Sequence, residues 1–442
     1  MLSLEVALAS GKRKRFLFPP TCNVGELKVA AQEHFLKGPL RLVADGRVLD
    51  GSETLGASVR DGSILTAVAT QLSVSTSCGA HALWSSGSNK ILTWGLPHHG
   101  GDHSAVRDRI RNITHIEPTS FAFAALMQDG SVVCWGDERF GGCATAVQEQ
   151  LREVVKLRGS SLAFAALRAD GSVVTWGDPD AGADSVGRIL SNVQDIAGAE
   201  LAFAAIRRDG SVVAWGDAEC GGDTSAVDGC LIRVQHVCAG SFAFAALKED
   251  GSVVTWGGEP SGYSSAVQGQ LHNVRSIAAT KYAFAAIRDD GSVVSWGDAY
   301  TGGDSSRVQH QLKNVRSLCS TCRSFAALLA NGSVVTWGDN NAGGHSAAVQ
   351  GQLQQVSKLC GSTGAFAALL TDGAVVTWGA PEDGGDSTAV QDQPHDILEI
   401  FGEAKLESGT FVAIRADGSL ITWGRAEDGG DSSAIQNQLR DY

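Results

Sequence analysis

The sequence predicts a mainly β protein in which an array of about nine repeats, each of about 41 residues, follows a small α+β domain. The dipeptide Trp-Gly occurs nine times between residues 94 and 424, at intervals of 39 to 45 residues. In the last eight units a phenylalanine lies twelve residues before the tryptophan. Residues 1–70 lack this pattern. We therefore divide the chain into a domain at 1–70 and a repeat array at 71–442.

The middle of each repeat predicts a β-hairpin. A run such as "AFAAL" precedes Asp-Gly or Asn-Gly, as at Asp170–Gly171, and a run such as "SVVTW" follows it. The dipeptide supplies the positive φ angles of a tight turn. A third strand is expected before the phenylalanine, as in "NVRSIAA" at 273–279. The first repeat departs from the pattern, because Ala82 stands where phenylalanine is expected.

The segments that join the repeats begin with Gly-Gly, as in "GGDSSRVQHQLKNV" at 302–315. Asp304 or Ser305 can cap a helix there, and Val308 and Leu312 fall on one helical face. The pattern predicts a short helix, or a loop in place of a fourth strand.

The first 70 residues predict two strands, a helix, a second hairpin and a last strand. In "NVGELKVAAQEHF" Asn23 can cap the helix, and Val24, Leu27, Ala31 and Phe35 recur on one side of it. The second hairpin has Asp45-Gly46 in its turn, within "RLVADGRVL".

With its aliphatic strand, "AAL", "DG", β-run and "WG", the repeat resembles the regulator-of-chromosome-condensation (RCC) repeat family. This resemblance implies a β-propeller, usually of seven blades. Here the period is shorter and nine Trp-Gly marks are present. An open β-solenoid is the alternative architecture. A closed propeller is favoured because closure hides the strand edges that an open array must cap.

The first domain resembles ubiquitin across "PTCNVGELKVAAQ" and "RLVADGRVLDGSETLGASVRDGSILTAV". The resemblance implies a β-grasp fold with a recognition patch that includes Val43. Thr66 replaces the family's histidine, and the chain continues without a terminal Gly-Gly, so conjugation to substrates is not expected. Two roles stay open for the domain: binding to ubiquitin receptors, or capping the array during folding.

Charge and composition narrow the partners and the compartment. The net charge is −13, and residues 71–442 hold 26 Lys+Arg against 41 Asp+Glu, which disfavours nucleic acid. No apolar run is long enough for a membrane span. The basic cluster at 12–15 follows an apolar stretch, the reverse of a secretory signal. Ten cysteines share no repeat position, so we expect a reducing compartment, either cytoplasm or nucleus.

The sequence predicts no catalytic residue, cofactor or metal, and therefore no enzyme. "HHGGDH" (His98, His99, Asp102, His103) is interpreted as capping or surface, and the pair Cys319 and Cys322 as small buried side chains. The resemblance to the RCC family leaves a protein-binding adaptor, linked through residues 1–70 to the ubiquitin pathway. The alternatives are a regulatory or exchange-factor subunit for a small GTPase and a purely structural repeat protein. The oligomeric state stays open.

The segments after Trp-Gly vary beside near-identical hairpins, as expected for a binding rim or for unconstrained loops. The contacts predicted there are three aromatic side chains with three acidic neighbours: Phe140, Tyr263, Tyr300, Glu138, Glu259 and Asp298. Aromatic anchors surrounded by negative charge suit a basic, partly apolar peptide of a protein partner.

Overall fold

The described residues of the first domain, 2–35 and 40–69, form a five-stranded sheet that packs on one long helix. The structure, a computed structural model, describes residues 1–35, 40–183, 190–388 and 396–439. The elements are β1 (Leu2–Leu8), β2 (Arg13–Phe18), α1 (Val24–Phe35), β3 (Leu40–Ala44), β4 (Arg47–Val48), α2 (Leu55–Ser58) and β5 (Ile64–Ala69). The sheet order is β2-β1-β5-β3-β4, with β1 and β5 parallel. The predicted capping of α1 is confirmed, because Asn23 Oδ1 accepts the Glu26 amide at 2.8 Å.

From residue 72 onward the described residues form nine antiparallel three-stranded sheets, one for each repeat. The first strands are β6 (Leu72–Thr76), β9 (Ile113–Pro118), β12 (Val154–Gly159), β15 (Val193–Gly198), β18 (Val234–Ala239), β21 (Val274–Ala279), β24 (Val315–Ser320), β27 (Val356–Gly361) and β30 (Ile397–Gly402). The second strands are β7 (Ala80–Ser85), β10 (Ala122–Met127), β13 (Ala163–Arg168), β16 (Ala202–Arg207), β19 (Ala243–Lys248), β22 (Ala283–Arg288), β25 (Ser324–Leu329), β28 (Ala365–Leu370) and β31 (Thr410–Arg415). The third strands are β8 (Leu92–Gly95), β11 (Val132–Gly136), β14 (Val173–Gly177), β17 (Val212–Gly216), β20 (Val253–Gly257), β23 (Val293–Gly297), β26 (Val334–Gly338), β29 (Val375–Gly379) and β32 (Leu420–Gly424). The predicted mainly β array of about nine repeats behind a small α+β domain is therefore confirmed.

Within each hairpin the phenylalanine and the tryptophan are cross-strand partners. Phe244 pairs with Trp256, and their rings stack at 5.2 Å with an interplanar angle of 19°. Both side chains are buried, and all nine Trp-Gly tryptophans are at most 6% exposed. The constant interval between the two residues in the sequence is therefore the register of a stacked core pair.

Seven of the nine Trp-Gly tryptophans bond to a glycine of the preceding repeat. Trp256 Nε1 donates to the Gly221 carbonyl at 3.0 Å, and six further tryptophans make the equivalent bond at 2.9–3.1 Å. Gly221 has a φ of 91°, and a Cβ added there would lie 2.7 Å from the Phe244 ring. The Gly-Gly pair thus lets one repeat pack against the aromatic pair of the next.

The same joint connects the ninth repeat to the first. Trp94 Nε1 donates to the Gly429 carbonyl at 3.0 Å, and one apolar cluster unites Leu83 with Ile414. The array therefore closes on itself as a ring of separate sheets rather than continuing as an open solenoid. The closed architecture favoured from the sequence is confirmed.

The expectation that Ala82 occupies the phenylalanine position is wrong. His81, not Ala82, pairs with Trp94, because the first hairpin is one residue longer than the others. The imidazole is fully buried and stacks on Trp94 at 4.9 Å, and its nitrogens lie 3.0 Å from the hydroxyl oxygens of Thr76 and Thr410. A histidine thus replaces phenylalanine at the joint that closes the ring.

The hairpin turns differ from the prediction in one respect. At Asp45–Gly46 both residues have positive φ angles, of 49° and 78°, as expected. At Asp170–Gly171 only the glycine does, with φ of 82°, while Asp170 Oδ1 accepts the Ser172 amide at 2.9 Å. The aspartate of the repeat therefore contributes a side-chain acceptor rather than a left-handed backbone.

The short-helix alternative is correct after the first repeat, where Ser104–Arg109 form two turns of 3-10 helix, and the loop alternative is correct at 302–315. Asp304 Oδ1 caps a turn by accepting the Ser306 amide at 2.8 Å, and Leu312 is buried. Gln309 Nε2 donates to the Val293 carbonyl at 2.9 Å, at the start of β23. Equivalent glutamines bond to β11, β20, β26 and β32. A side-chain amide therefore occupies part of the edge that a fourth strand would cover.

Truncating one aromatic pair tests this packing. Phe244→Ala or Trp256→Ala should each cost about 3–5 kcal/mol, since each removes a buried ring. Because repeats are linked mainly to their neighbours, we expect partial unfolding around the altered repeat before global unfolding. Thermal melts followed by circular dichroism measure the effect, and unchanged melts for both variants would contradict the packing.

The buried histidine predicts an acid-sensitive closing joint. Burial lowers the pKa of His81 to about 3, from 6.5 in an unfolded chain. Between these values the unfolded state binds the extra proton, so stability falls as the pH drops from 6.5 towards 3, by at most about 5 kcal/mol. Urea unfolding across this range should be less pH-dependent in His81→Phe than in the wild type. His272→Phe, at an exposed site, should keep the wild-type slope, and equal slopes for all three proteins would contradict the prediction.

Candidate partner-binding face

The ring has two ends with different chemistry. We call the end that carries the Asp-Gly hairpin turns the tip face. The other end, the turn face, carries the turns between first and second strands together with the Gly-Gly segments. Residues 1–69 contact the tip face: Gln32 Nε2 donates to the Asp417 carbonyl at 2.8 Å, and the Asp50 carboxylate pairs with Lys90 at 2.7 Å. These two contacts place the first domain at the tip face, the end opposite to the turn face.

The turns on the turn face are linked by backbone hydrogen bonds. Eight bonds of 2.8–3.2 Å join nine equivalent positions: 78, 120, 161, 200, 241, 281, 322, 363 and 408. In each, the amide of one repeat donates to the carbonyl of the next repeat. This ladder fixes the spacing of every side chain that projects from the turns.

The six contact residues predicted in the array all lie on the turn face, in the second, fifth and sixth repeats. Tyr263 and Tyr300 are 58% and 63% exposed. Phe140 is only partly exposed, contrary to expectation, because it packs on Phe121 at 4.9 Å beneath the Arg139 guanidinium. The Tyr300 hydroxyl donates to Asp339 of the next repeat at 3.2 Å. The three aromatic side chains thus lie on one face of the ring but at three separate positions.

Of the three acidic neighbours, two are exposed and the third caps a turn. Glu138 and Glu259 are exposed. Asp298 is partly buried, and its carboxylate accepts the Thr301 amide at 2.8 Å. Asp298 therefore holds its turn together as well as contributing negative charge.

Val43, the predicted contact in the first domain, is partly exposed on β3 and pairs with Thr66 of β5. Arg41 projects from the same side of β3, paired with Val68, and donates to Ser85 Oγ of the array at 2.6 Å. The sheet surface around Val43 therefore adjoins the ring.

Two cavities lie along the ring axis, where the first strands of successive sheets pack together. Their volumes are about 300 and 270 Å³, and Lys405 lines both. The second cavity also contains charged groups from the second, third and fourth repeats: Glu117, Arg158 and Asp195. Glu117 pairs with Arg158 at 3.6 Å.

A segment of the ninth repeat crosses the axis on the turn face. We call residues 403–407 the strap. Lys405 of the strap donates to the Gly198 carbonyl in the fourth repeat, and Glu407 pairs with Lys281 in the sixth. The Ala404 carbonyl accepts from Cys322 Sγ at 2.9 Å. The strap therefore connects repeats on opposite sides of the ring.

Burial changes the ionisation of the strap and of the cysteine beneath it. It lowers the pKa of Lys405, opposed by the charge of Glu403, and it raises the pKa of Glu403. It also raises the pKa of Cys322 to about 12, so this thiol is protonated at neutral pH.

The side chains of the segment "HHGGDH" have protein partners. Asp102 Oδ1 accepts the Ser104 amide at 2.8 Å, and His103 Nδ1 lies 2.9 Å from Thr93 Oγ1. His99 packs on Phe121 at 4.8 Å. In the part of the chain that the structure describes, no cluster of three His, Cys, Asp or Glu residues has metal-binding geometry. Within the same residues, no helix is long and apolar enough to cross a membrane.

No protein-family model matches the sequence, and the search of curated proteins gives no match. Among solved structures the chain is similar to Prp20p of Saccharomyces cerevisiae, with 17% identity and a TM-score of 0.40, over 77% of this chain and 92% of that one. It is also similar to a chain in the complex of Kap60 with yeast RCC1 (Prp20), with 15% identity and a TM-score of 0.42, over 77% and 88%. The computationally designed Ika8 protein gives 15% identity and a TM-score of 0.35, over 70% and 92%. These scores carry no argument about function, and the fold assignment rests on the strand pairing of this chain.

The strap was not predicted from the sequence, although a signal was present. The last interval between Trp-Gly marks is 45 residues, against 39 to 41 elsewhere, while the interval from Phe411 to Trp423 keeps its twelve residues. The additional residues therefore had to precede Phe411, where the strap lies.

Deleting residues 403–406 tests the strap. The interval returns to 41 residues, and Cys322 loses the cover of Ala404. We expect iodoacetamide to modify Cys322 faster in the deletion variant than in the wild type, measured by mass spectrometry of timed samples. Cys134, buried against Trp176 in another part of the ring, is the internal control. Equal rates at Cys322 in both proteins would show that the strap does not cover it.

Proposed function

We propose that this chain is a non-catalytic protein-binding adaptor, with a ubiquitin-like domain at 1–70 joined to a partner-binding RCC-like repeat ring at 71–442. The observation that carries the proposal is the contrast on the turn face. Buried joints repeat almost unchanged around the ring, whereas the segments after Trp-Gly present different side chains at equivalent places. A rigid frame with variable exposed loops is the usual arrangement of a recognition surface.

The proposed contacts are the aromatic side chains Phe140, Tyr263 and Tyr300 with the acidic Glu138, Glu259 and Asp298. Tyrosine side chains at high exposure supply large contact areas with few rotatable bonds. The carboxylates favour a basic segment of the partner, by complementary charge. The acidic ring also disfavours nucleic acid as a partner. We propose the cytoplasm or nucleus as the compartment.

The sheet order β2-β1-β5-β3-β4 across one helix supports the ubiquitin-like assignment of residues 1–70. Val43 is the contact that we propose for a ubiquitin receptor. Because Arg41 on the same sheet face already contacts Ser85, a receptor would approach Val43 from the side away from the ring.

Capture experiments with the full chain test the rim. We expect Phe140→Ala/Tyr263→Ala/Tyr300→Ala to lose the proteins that the tagged wild type retains from a cell extract, without a lower melting temperature. Quantitative mass spectrometry of the retained proteins is the measurement. The matched control replaces three exposed apolar residues away from the turn-face rim by alanine: Val155, Ile232 and Leu398. Equal retention by all three proteins would rule out the rim as the binding site.

The retained proteins also separate the alternatives. For Prp20p itself, binding to Gsp1p and histones is known. Faster nucleotide release from a retained small GTPase would establish the exchange-factor alternative for this chain. No specific retention by the wild type would favour a purely structural role, and loss of ubiquitin receptors in Val43→Asp alone would support the ubiquitin link.

A further inference from the structure

A set of apolar side chains on the turn face is separate from the predicted rim. The residue that follows each ladder position is Phe, Leu, Leu, Phe and Tyr in the second to sixth repeats. These five residues, which we call the crescent, are Phe121, Leu162, Leu201, Phe242 and Tyr282. All are partly exposed. The equivalent residues of the other repeats are Gly79, Arg323, Gly364 and Gly409, so the apolar character is confined to one arc.

The crescent is a continuous surface because the ladder holds its members in consecutive turns. The amides of Ser120, Ser161, Glu200 and Ser241 bond to the next repeat at 2.8–3.2 Å. Neighbouring members touch where they are aromatic: the rings of Phe242 and Tyr282 stack at 5.1 Å and 11°. At the other end Phe121 contacts Phe140, which extends the surface to the rim.

Negative charge surrounds the crescent. The exposed carboxylates in the flanking segments include Glu138, Asp180, Glu219, Asp223, Glu259 and Asp304. In the described parts of these segments, 137–145, 178–183, 217–225, 258–264 and 298–306, and in the crescent turns, the basic residues are Arg139 and Lys281. Both are ion-paired, with Asp137 and Glu407. A partner that covers the crescent therefore meets an excess of carboxylates.

The strap provides an internal example of lysine bound on this face. Lys405 arrives from the opposite side of the ring and donates to the Gly198 carbonyl, two residues before Glu200 of the ladder. A backbone carbonyl near the crescent thus accepts a hydrogen bond from a lysine side chain in the folded chain.

We infer that the crescent binds a Lys- or Arg-rich segment of a partner protein that carries apolar side chains. The apolar side chains pack on the crescent, and the basic ones face the surrounding carboxylates. This inference rests on the proposed function and names the surface and the partner chemistry. A membrane or a nucleic acid is disfavoured because both present negative charge.

The test uses the full chain and a defined probe, a fluorescein-labelled 14-residue peptide of alternating lysine and leucine. We expect Phe242→Ser/Tyr282→Ser to weaken binding about tenfold by fluorescence anisotropy. The matched control, Val155→Ser/Ile232→Ser, removes two apolar side chains of high exposure elsewhere and should change the affinity less than about twofold. A peptide with glutamate in place of lysine should not bind.

A second measurement needs no variant. A version of the lysine–leucine peptide with photo-leucine should crosslink the wild-type chain within the crescent turns, mapped by mass spectrometry. Crosslinks confined to the tip face, or equal losses of affinity in the two double variants, would overturn the inference. If the rim variant loses its protein partner while the probe does not map to the crescent, the proposed function stands and the crescent is excluded. If no protein partner is retained and the probe maps to the crescent, the adaptor proposal fails and the binding chemistry of the crescent stands.

Discussion

The joint between consecutive repeats is the interaction on which the rest of the structure depends. A phenylalanine and a tryptophan stack within one hairpin, and for seven of the nine tryptophans a glycine of the preceding repeat accepts the indole N–H. At Gly221 a side chain would collide with Phe244, and the same holds at Gly302 against Phe325, where an added Cβ would lie 2.6 Å from the ring. No repeat therefore completes its own core. The bonded glycine and tryptophan are 35 residues apart in five joints and 39 apart where the strap is inserted.

Closure of the ring follows from this dependence. An unpaired first repeat would leave Trp94 without a carbonyl partner, and the ninth repeat supplies it through Gly429. Here His81 replaces phenylalanine, and the hydroxyls of Thr76 and Thr410 satisfy its two nitrogens. The joint that unites the two ends of the array is thus the one that contains a titratable group. Variation occurs in the turns and in the residues that flank each Gly-Gly pair, which can present different side chains on a fixed frame.

The sequence was most informative where structure depends on local chemistry. The sequence predicted the hairpin that contains Phe244 and Trp256, and Asn23 predicted the start of α1. The sequence pattern gave a wrong expectation at Ala82, because we assumed a fixed interval for a hairpin that has one additional residue. At Asp170 the predicted left-handed backbone is wrong, because aspartate can also stabilise a turn through its side chain.

Long-range features could not be derived in the same way. The strap spans the ring, so no local pattern shows that Lys405 meets Gly198, although the long last interval marks an insertion. Exposure of the rim depends on neighbours distant in the sequence, and Phe140 is partly covered by its contact with Phe121. The crescent was visible as five apolar residues before the second strands, but only the ladder shows that they form one surface.

The distance between the first and ninth repeats tests the central claim, that repeated joints close the array into a ring. Spin labels introduced as noncanonical amino acids at the exposed Asp102 and Asp431 report this distance by electron–electron double resonance. Labels at the equivalent Asp304 and His345, in the neighbouring sixth and seventh repeats, provide the reference. The ring predicts the same distance distribution for both pairs. A distance between residues 102 and 431 far longer than the reference would show that the array is open, and would contradict the account.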